Sequence, residues 1–137
     1  MNGFLTELLT QGDVLRQVAD FYRQDGRKMM EAIAEEYRAK GMNKLIMTGM
    51  GSSLYAMDVM RSYFTQHGVP CITYTSHELE NYQFEQITPQ TMVIAISASG
   101  GSQEVIRLVE KAKSITTVVG ITNKEESRLA ELCDLPL

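Results

Sequence analysis

Apolar residues recur along this chain with two periods, and the way the periods alternate predicts its architecture. From Val14 the positions Leu15, Val18, Phe21, Tyr22, Met29, Met30, Ile33, Ala34 and Tyr37 follow the threes-and-fours spacing of one helix face. They predict a long amphipathic helix to about Lys40, stopped by Gly41. Asp25 and Gly26 are placed to kink or break it, since glycine inside a helix costs roughly 1 kcal/mol relative to alanine. Ahead of it, a short amphipathic segment from Phe4 to Leu9 is expected to close at Gly12, with Asp13 as N-cap of the long helix. The methionine and aromatic stripe reads as core or partner packing, not as a cofactor box.

Four short runs rich in β-branched residues follow: Lys44 to Thr48, Cys71 to Thr75, Thr91 to Ser97 and Thr116 to Thr122. Their apolar character suits strands covered on both faces. Helical patterns separate them. One spans Ser53 to His67, with Ala56, Met60, Tyr63 and Phe64 on one face, Gly68 as C-cap and Pro70 beyond it. Another, Ser102 to Lys113, buries Val105, Ile106, Leu108, Val109 and Ala112. It carries Glu104 in its first turn and Lys111 and Lys113 in its last, the signs its dipole favours. Between the second and third runs, Glu78, Leu79, Tyr82 and Phe84 fit a short helix ended by Thr88 and Pro89. After the fourth run, Asn123 and Glu126 have capping-box spacing and open a short helix through Leu129, Ala130 and Leu132. Asp134 to Leu137 then resemble the entry of a fifth strand, so the chain reads as a fragment of a longer protein.

Strands alternating with helices predict an α/β fold: a flavodoxin-like, doubly wound parallel sheet in the order 2-1-3-4-5, with right-handed crossovers. The expected organisation is an N-terminal helical segment over residues 1–41 and an α/β domain over residues 42–137. Composition agrees, since 137 residues with 44% hydrophobic and 22% charged describe one ordinary globular domain. A net charge of -4 with no basic stripe argues against nucleic acid. No apolar run is long enough to span a membrane, and no basic leader precedes the first helix, so a cytoplasmic location is expected. Cys71 and Cys133 stand apart, with no CxxC or Cys/His cluster, which predicts reduced thiols, no metal and no cofactor. The expected partners are a small molecule and a second copy of the chain, the latter through apolar positions such as Phe21, Met29 and Met30.

The candidate chemistry lies at two strand–helix junctions, Thr48-Gly49-Met50-Gly51-Ser52-Ser53 and Ser97-Ala98-Ser99-Gly100-Gly101-Ser102. Small residues there let backbone N–H groups converge, and the following helix aims its positive end at the same point, an arrangement that binds anions. The predicted strand order sets both loops at the topological switch point. A dinucleotide fingerprint fits poorly, because its third glycine would fall at Leu54 and Glu78 comes later than the ribose-binding acid should. A P-loop fails because neither loop carries its lysine. Without lysine or arginine in either loop, a phosphate would be held by the hydroxyls of Ser97, Ser99 and Ser102, by backbone N–H groups and by a helix N-terminus. Such a site suits a modest-affinity metabolite. Glu78 stands where a base is wanted, although a cap or solvated role fits its position better. His67 reads as a helix C-terminal residue, and His77 has no identifiable partner, so no catalytic residue is assigned.

At these residues the chain resembles a sugar isomerase (SIS) domain. GMGSS after the first strand, Ser76 to Glu78 after the second, ISASGGS after the third and GITN after the fourth carry a resemblance that covers nearly the whole chain. It is most similar to the first SIS unit of double-SIS proteins, such as the isomerase half of glutamine–fructose-6-phosphate aminotransferase, and to related phosphosugar isomerases, deaminases and deglycases. Ser97, Ser99, Gly100 and Ser102 match the family pattern S-x-S-G-x-[ST], whose hydroxyls bind the sugar phosphate. Ser53, and more weakly Ser52, match first-loop hydroxyls that contact the sugar. The resemblance thus implies a substrate-binding set of Gly51, Ser52, Ser53, Ser97, Ala98, Ser99, Gly100 and Ser102, and a hexose or amino-sugar 6-phosphate as ligand. Ala98 and Gly101 depart from the Gln and Glu of many aminotransferase-like members, and the family's acid/base residues are expected beyond Leu137. The implied role is to anchor the phosphate while a base elsewhere moves a proton through an enediol, so these 137 residues alone are expected to be inactive. The alternative is a non-catalytic sugar-phosphate sensor in a transcriptional regulator. A structural dimer module with serine-rich turns is a third reading.

Overall fold

The computed structural model describes residues 3–137, which divide into two compact units, one up to Glu35 and the other Glu36–Leu137. In the first, α1 runs without interruption over Gly3–Arg23. Gly12 and Asp13 therefore lie inside a helix and do not separate two, which corrects the expected short segment and its N-cap. Leucines on both sides outweigh the penalty of one glycine, and Asp13 pairs with Arg16 at 2.6 Å, on the helix surface. The break comes at Gln24–Gly26, so the long helix is two helices. The Gly26 N–H donates to Phe21 O at 2.8 Å, and a Cβ there would stand 2.7 Å from the Phe21 ring. The second helix, α2, follows as Arg27–Ala39. No side chain of α1 is buried, and Leu9, Leu15 and Phe21 are exposed.

The second unit opens with the last turn of α2 and continues through β1 Lys44–Gly49, α3 Ser52–Gln66, β2 Cys71–Thr75 and α4 Ser76–Tyr82. A 3-10 turn at Phe84–Gln86 leads into β3 Thr91–Ile96, α5 Gln103–Ala112, β4 Val118–Ile121, α6 Arg128–Leu132 and β5 Leu135–Pro136. The sheet order is β2-β1-β3-β4-β5 and every pairing is parallel, the predicted doubly wound arrangement. Ile46, Val93, Ala95 and Val118 on the sheet pack with Leu79 of α4, with Val105, Leu108 and Val109 of α5, and with Leu129 of α6. Each such fully buried aliphatic side chain contributes about 1.5–3 kcal/mol. Glu80 pins α4 to α5, pairing with Lys111 at 2.8 Å and Arg107 at 3.4 Å.

Packing sets the orientation of one helix, and the expected N-cap of another is overturned. On α3 the residue turned into the core is Met57, whereas Ala56 and Tyr63 are exposed. Leu54, Tyr55, Met57, Val59, Met60 and Tyr63 put apolar groups around most of that helix, so periodicity alone did not settle which face is buried. For α6 the N-cap is Ser127, whose hydroxyl accepts from the Ala130 N–H at 3.3 Å, in place of the Asn123 and Glu126 capping box. The fourth strand is also shorter than expected. Thr116 precedes it and spends its hydroxyl on the Thr91 carbonyl.

Candidate functional site

The register of the sheet decides where the serine-rich loops stand. Gly49 pairs with Thr75 on one side and Ile96 on the other, and Ile96 pairs with Ile121. The carboxyl ends of β2, β1, β3 and β4 are therefore level, and their connections leave the sheet from one edge. Residues 50–53 and 97–102 follow adjacent strands, so the two loops flank the switch point side by side. Gly49 has to be glycine for this approach, because a Cβ would sit 2.7 Å from Ile96 Cγ2. Each loop also contains one left-handed glycine, Gly51 at φ +54° and Gly100 at φ +64°.

The helix N-termini of this unit are treated in two ways. Thr75 caps α4 by accepting from the Glu78 N–H at 3.1 Å, and Ser127 caps α6. The N-cap positions of α3 and α5, Gly51 and Ser102, supply no side-chain cap. The uncapped helices are the two that begin at the serine loops. Their first N–H groups, with the positive dipole ends, remain available to an anion. The hydroxyls of Ser52, Ser53 and Ser102 make no hydrogen bond among the described residues. Ser97 is only 3% exposed, and its hydroxyl likewise has no partner among them. No fully buried side-chain oxygen is left unpaired, so the little surface that Ser97 keeps includes its hydroxyl. Ser99 accepts from the Gly101 N–H at 3.2 Å, which shapes the turn, and Ala98 is exposed at its crest.

A second segment braces the 97–102 loop. Ser97 N–H donates to Ile121 O at 3.0 Å, Asn123 N–H to Ala98 O at 3.2 Å, and Leu129 N–H to Gly100 O at 3.0 Å. Gly100 lies so close to Ser127 that a Cβ would overlap that side chain. This role of residues 122–129 was missed in the sequence, where GITN served only as a motif; a backbone contact between segments leaves no trace in composition. On the other flank, the Thr48 and Ser76 hydroxyls meet at 3.0 Å in a fully buried pair that ties β1 to the start of α4.

The remaining candidates lie apart from this cradle or on its rim. Glu78 is exposed and uses its N–H on the Thr75 cap. His77 does have a partner, Asn81, at 3.2 Å between Nδ2 and Nδ1. His67 Nδ1 lies 2.8 Å from Tyr63 O, at the end of α3. Burial pushes the Cys71 and Cys133 thiols up, and both cysteines are free. The Lys111 hydrogen bond holds the Glu80 carboxyl below its ordinary value, in a structural clamp. Among the described residues no three His, Cys, Asp or Glu side chains are grouped to hold a metal ion, and no helix is long and apolar enough to cross a membrane.

Comparison with known proteins agrees with this geometry. Residues 40–137 match the family described as the SIS domain. The arabinose 5-phosphate isomerase KdsD of Francisella tularensis is 29% identical over 126 residues, covering 91% of this chain and 38% of the relative. Among solved structures, tagatose-6-phosphate ketose/aldose isomerase from Escherichia coli superposes with a TM-score of 0.67 at 20% identity, over 88% of this chain and 34% of that one. The E. coli CFT073 protein c3406, solved in complex with arabinose 5-phosphate, gives 0.66 at 20% identity over 99% of this chain and 73% of that one. The chain thus spans well under half the length of the curated relatives it matches.

Proposed function

We propose, from the premise that the chain belongs to the SIS domain family, that it binds a sugar phosphate and serves as the anchoring unit of a phosphosugar isomerase. The observation that carries this reading is the pair of uncapped helix N-termini above the switch point, with the free hydroxyls of Ser52, Ser53, Ser97 and Ser102 beside them. Those groups offer hydrogen-bond donors to phosphate oxygens, with Ser99 and Gly100 shaping the turn. Gly51 starts α3 in the left-handed region and leaves its backbone open, since a Cβ there would meet nothing within 4 Å. Anchoring the phosphate supplies binding energy that orients the sugar carbons for proton transfer. The named relatives are isomerases, which favours this reading over a sensor in a regulator. Exposed Phe21, Met29 and Met30 support self-association as part of the same proposal.

The test is a heat-shift titration of the 137-residue chain with arabinose 5-phosphate and fructose 6-phosphate, with unphosphorylated arabinose as control. Ligand at about a hundred times its Kd stabilises a binding protein by about 2.7 kcal/mol. The expected result is a rise in Tm with the phosphates alone, abolished in the Ser97→Ala/Ser99→Ala double variant. A shift that survives the double substitution refutes the placement of the phosphate.

A further inference from the structure

The 50–53 and 97–102 loops contain no basic residue, yet the connection from β4 to α6 brings one to the same edge. Ile121 ends β4 level with Ile96, and the Asn123 N–H donates to Ala98 O at 3.2 Å. The next Cα, that of Lys124, is about 3.8 Å further along the chain. The Lys124 N–H is itself fixed, donating to Thr122 Oγ1 at 3.3 Å. The backbone of Lys124 is therefore held next to the serine loop, and its flexible four-carbon stem begins there.

Its charge is also uncommitted. Within Glu36–Leu137, every other lysine and arginine except Arg38 makes an ion pair or a hydrogen bond among the described residues. Arg38 lies in the last turn of α2, ahead of the amino end of β1, at the opposite edge of the sheet. Lys124 is exposed and has no side-chain partner among the described residues. Glu125 and Glu126 follow Lys124 on the same connection, and Glu78 and Glu104 stand in the first turns of α4 and α5, so among the described residues Lys124 is the unpaired cation of an edge that also carries carboxylates. A second observation supports an anion beside it. The nearly inaccessible Ser97, one residue before Ala98, has a hydroxyl with no partner among the described residues.

We propose that the Lys124 ammonium is the cationic contact for the phosphate monoester held over the 97–102 loop. The assignment rests on the sugar-phosphate reading above. Lysine suits the role as a compact charge that swings onto the ligand after the helix N-termini have positioned it, and charge-assisted hydrogen bonds to phosphate are strong ones.

The experiment measures the Kd for arabinose 5-phosphate by calorimetry at low and high salt, for wild type and for Lys124→Ala, Lys124→Arg, Arg38→Ala and Ser97→Ala/Ser99→Ala. Lys124→Ala is expected to weaken binding about tenfold or more at low salt and to flatten the fall of affinity with salt, because screening acts on the charge removed. Lys124→Arg should keep most of the affinity, and Arg38→Ala all of it. Wild-type affinity in Lys124→Ala, with binding lost in the double serine variant, overturns the role of Lys124 and leaves the sugar-phosphate reading standing. If wild type itself fails to bind, that reading falls and this one with it.

Discussion

Replacing Gly100 with alanine is expected to cost the second unit about 2–5 kcal/mol, and the cost divides into two parts that can be measured separately. The residue sits at φ +64°, and an alanine Cβ would overlap the Ser127 side chain and stand 2.9 Å from Thr122 Oγ1. A left-handed conformation costs a non-glycine residue about 1–2 kcal/mol. Forcing a methyl group into filled space adds about 1–3 kcal/mol. A typical domain has only about 5–15 kcal/mol in all, so the loss should move a urea midpoint visibly. Ser127→Gly alone should cost a few tenths of a kcal/mol, since glycine is a tolerable N-cap. It also removes the Ser127 side-chain atoms, the nearest ones that the new methyl group strikes. In the Gly100→Ala/Ser127→Gly variant most of the packing part should therefore be relieved, with the 2.9 Å approach to Thr122 Oγ1 remaining, while the conformational part stays, giving a favourable coupling of about 1–3 kcal/mol. Additivity to within about 0.5 kcal/mol would refute the claim that Gly100 is a glycine because of Ser127.

Two further outcomes follow from pairs of residues. Thr48→Val should destabilise by about 1–3 kcal/mol, because it strands the buried Ser76 hydroxyl, whereas Thr48→Val/Ser76→Ala should come close to wild type; equal urea midpoints for the two variants would contradict the pairing. Glu80→Gln should cost about 1–3 kcal/mol at about pH 7, since it weakens the bonds from Lys111 and Arg107 to a side chain only 7% exposed. The folded carboxyl is held low by Lys111, with burial opposing, so its charge stabilises the fold fully above the unfolded value near about 4.3. That contribution is lost as pH falls through the folded value. The gap between wild type and Glu80→Gln should thus close as pH falls through and below the ordinary carboxylate range, and a gap that widened would refute the assignment.

The sheet was readable in advance because its strands are continuous apolar runs, and Cys71–Thr75 was placed to the residue. Alternation with helices pointed to a doubly wound parallel sheet, and the flavodoxin-like order 2-1-3-4-5 expected of it put the two serine loops together before any distance was known. Local patterns failed where two local answers were equally good. On α3 the apolar residues nearly encircle the helix, and only packing against the sheet selects Met57 over Ala56 and Tyr63. At the start of α6, Asn123 and Ser127 are both competent caps, and Ser127 wins because that register lets Leu129 N–H reach Gly100 O. In α1, the expectation that Gly12 and Asp13 end a helix underestimated how little one glycine costs in a long helix. Of the site, the hydroxyl and glycine positions were visible as residues. The missing caps on α3 and α5, the brace from residues 122–129 and the position of Lys124 are relations between segments.

The brace has a consequence for how the protein is made. Synthesis runs from the amino end, so β3 and the 97–102 loop leave the ribosome well before α6. Until Asn123 and Leu129 emerge, the carbonyls of Ala98 and Gly100 lack the donors that hold the turn in shape. A nascent chain that has reached only β4 therefore has four of the five strands but lacks the brace of the cradle. A sugar phosphate that recognises the cradle would stabilise only chains elongated past α6, and would distinguish them from shorter ones during translation.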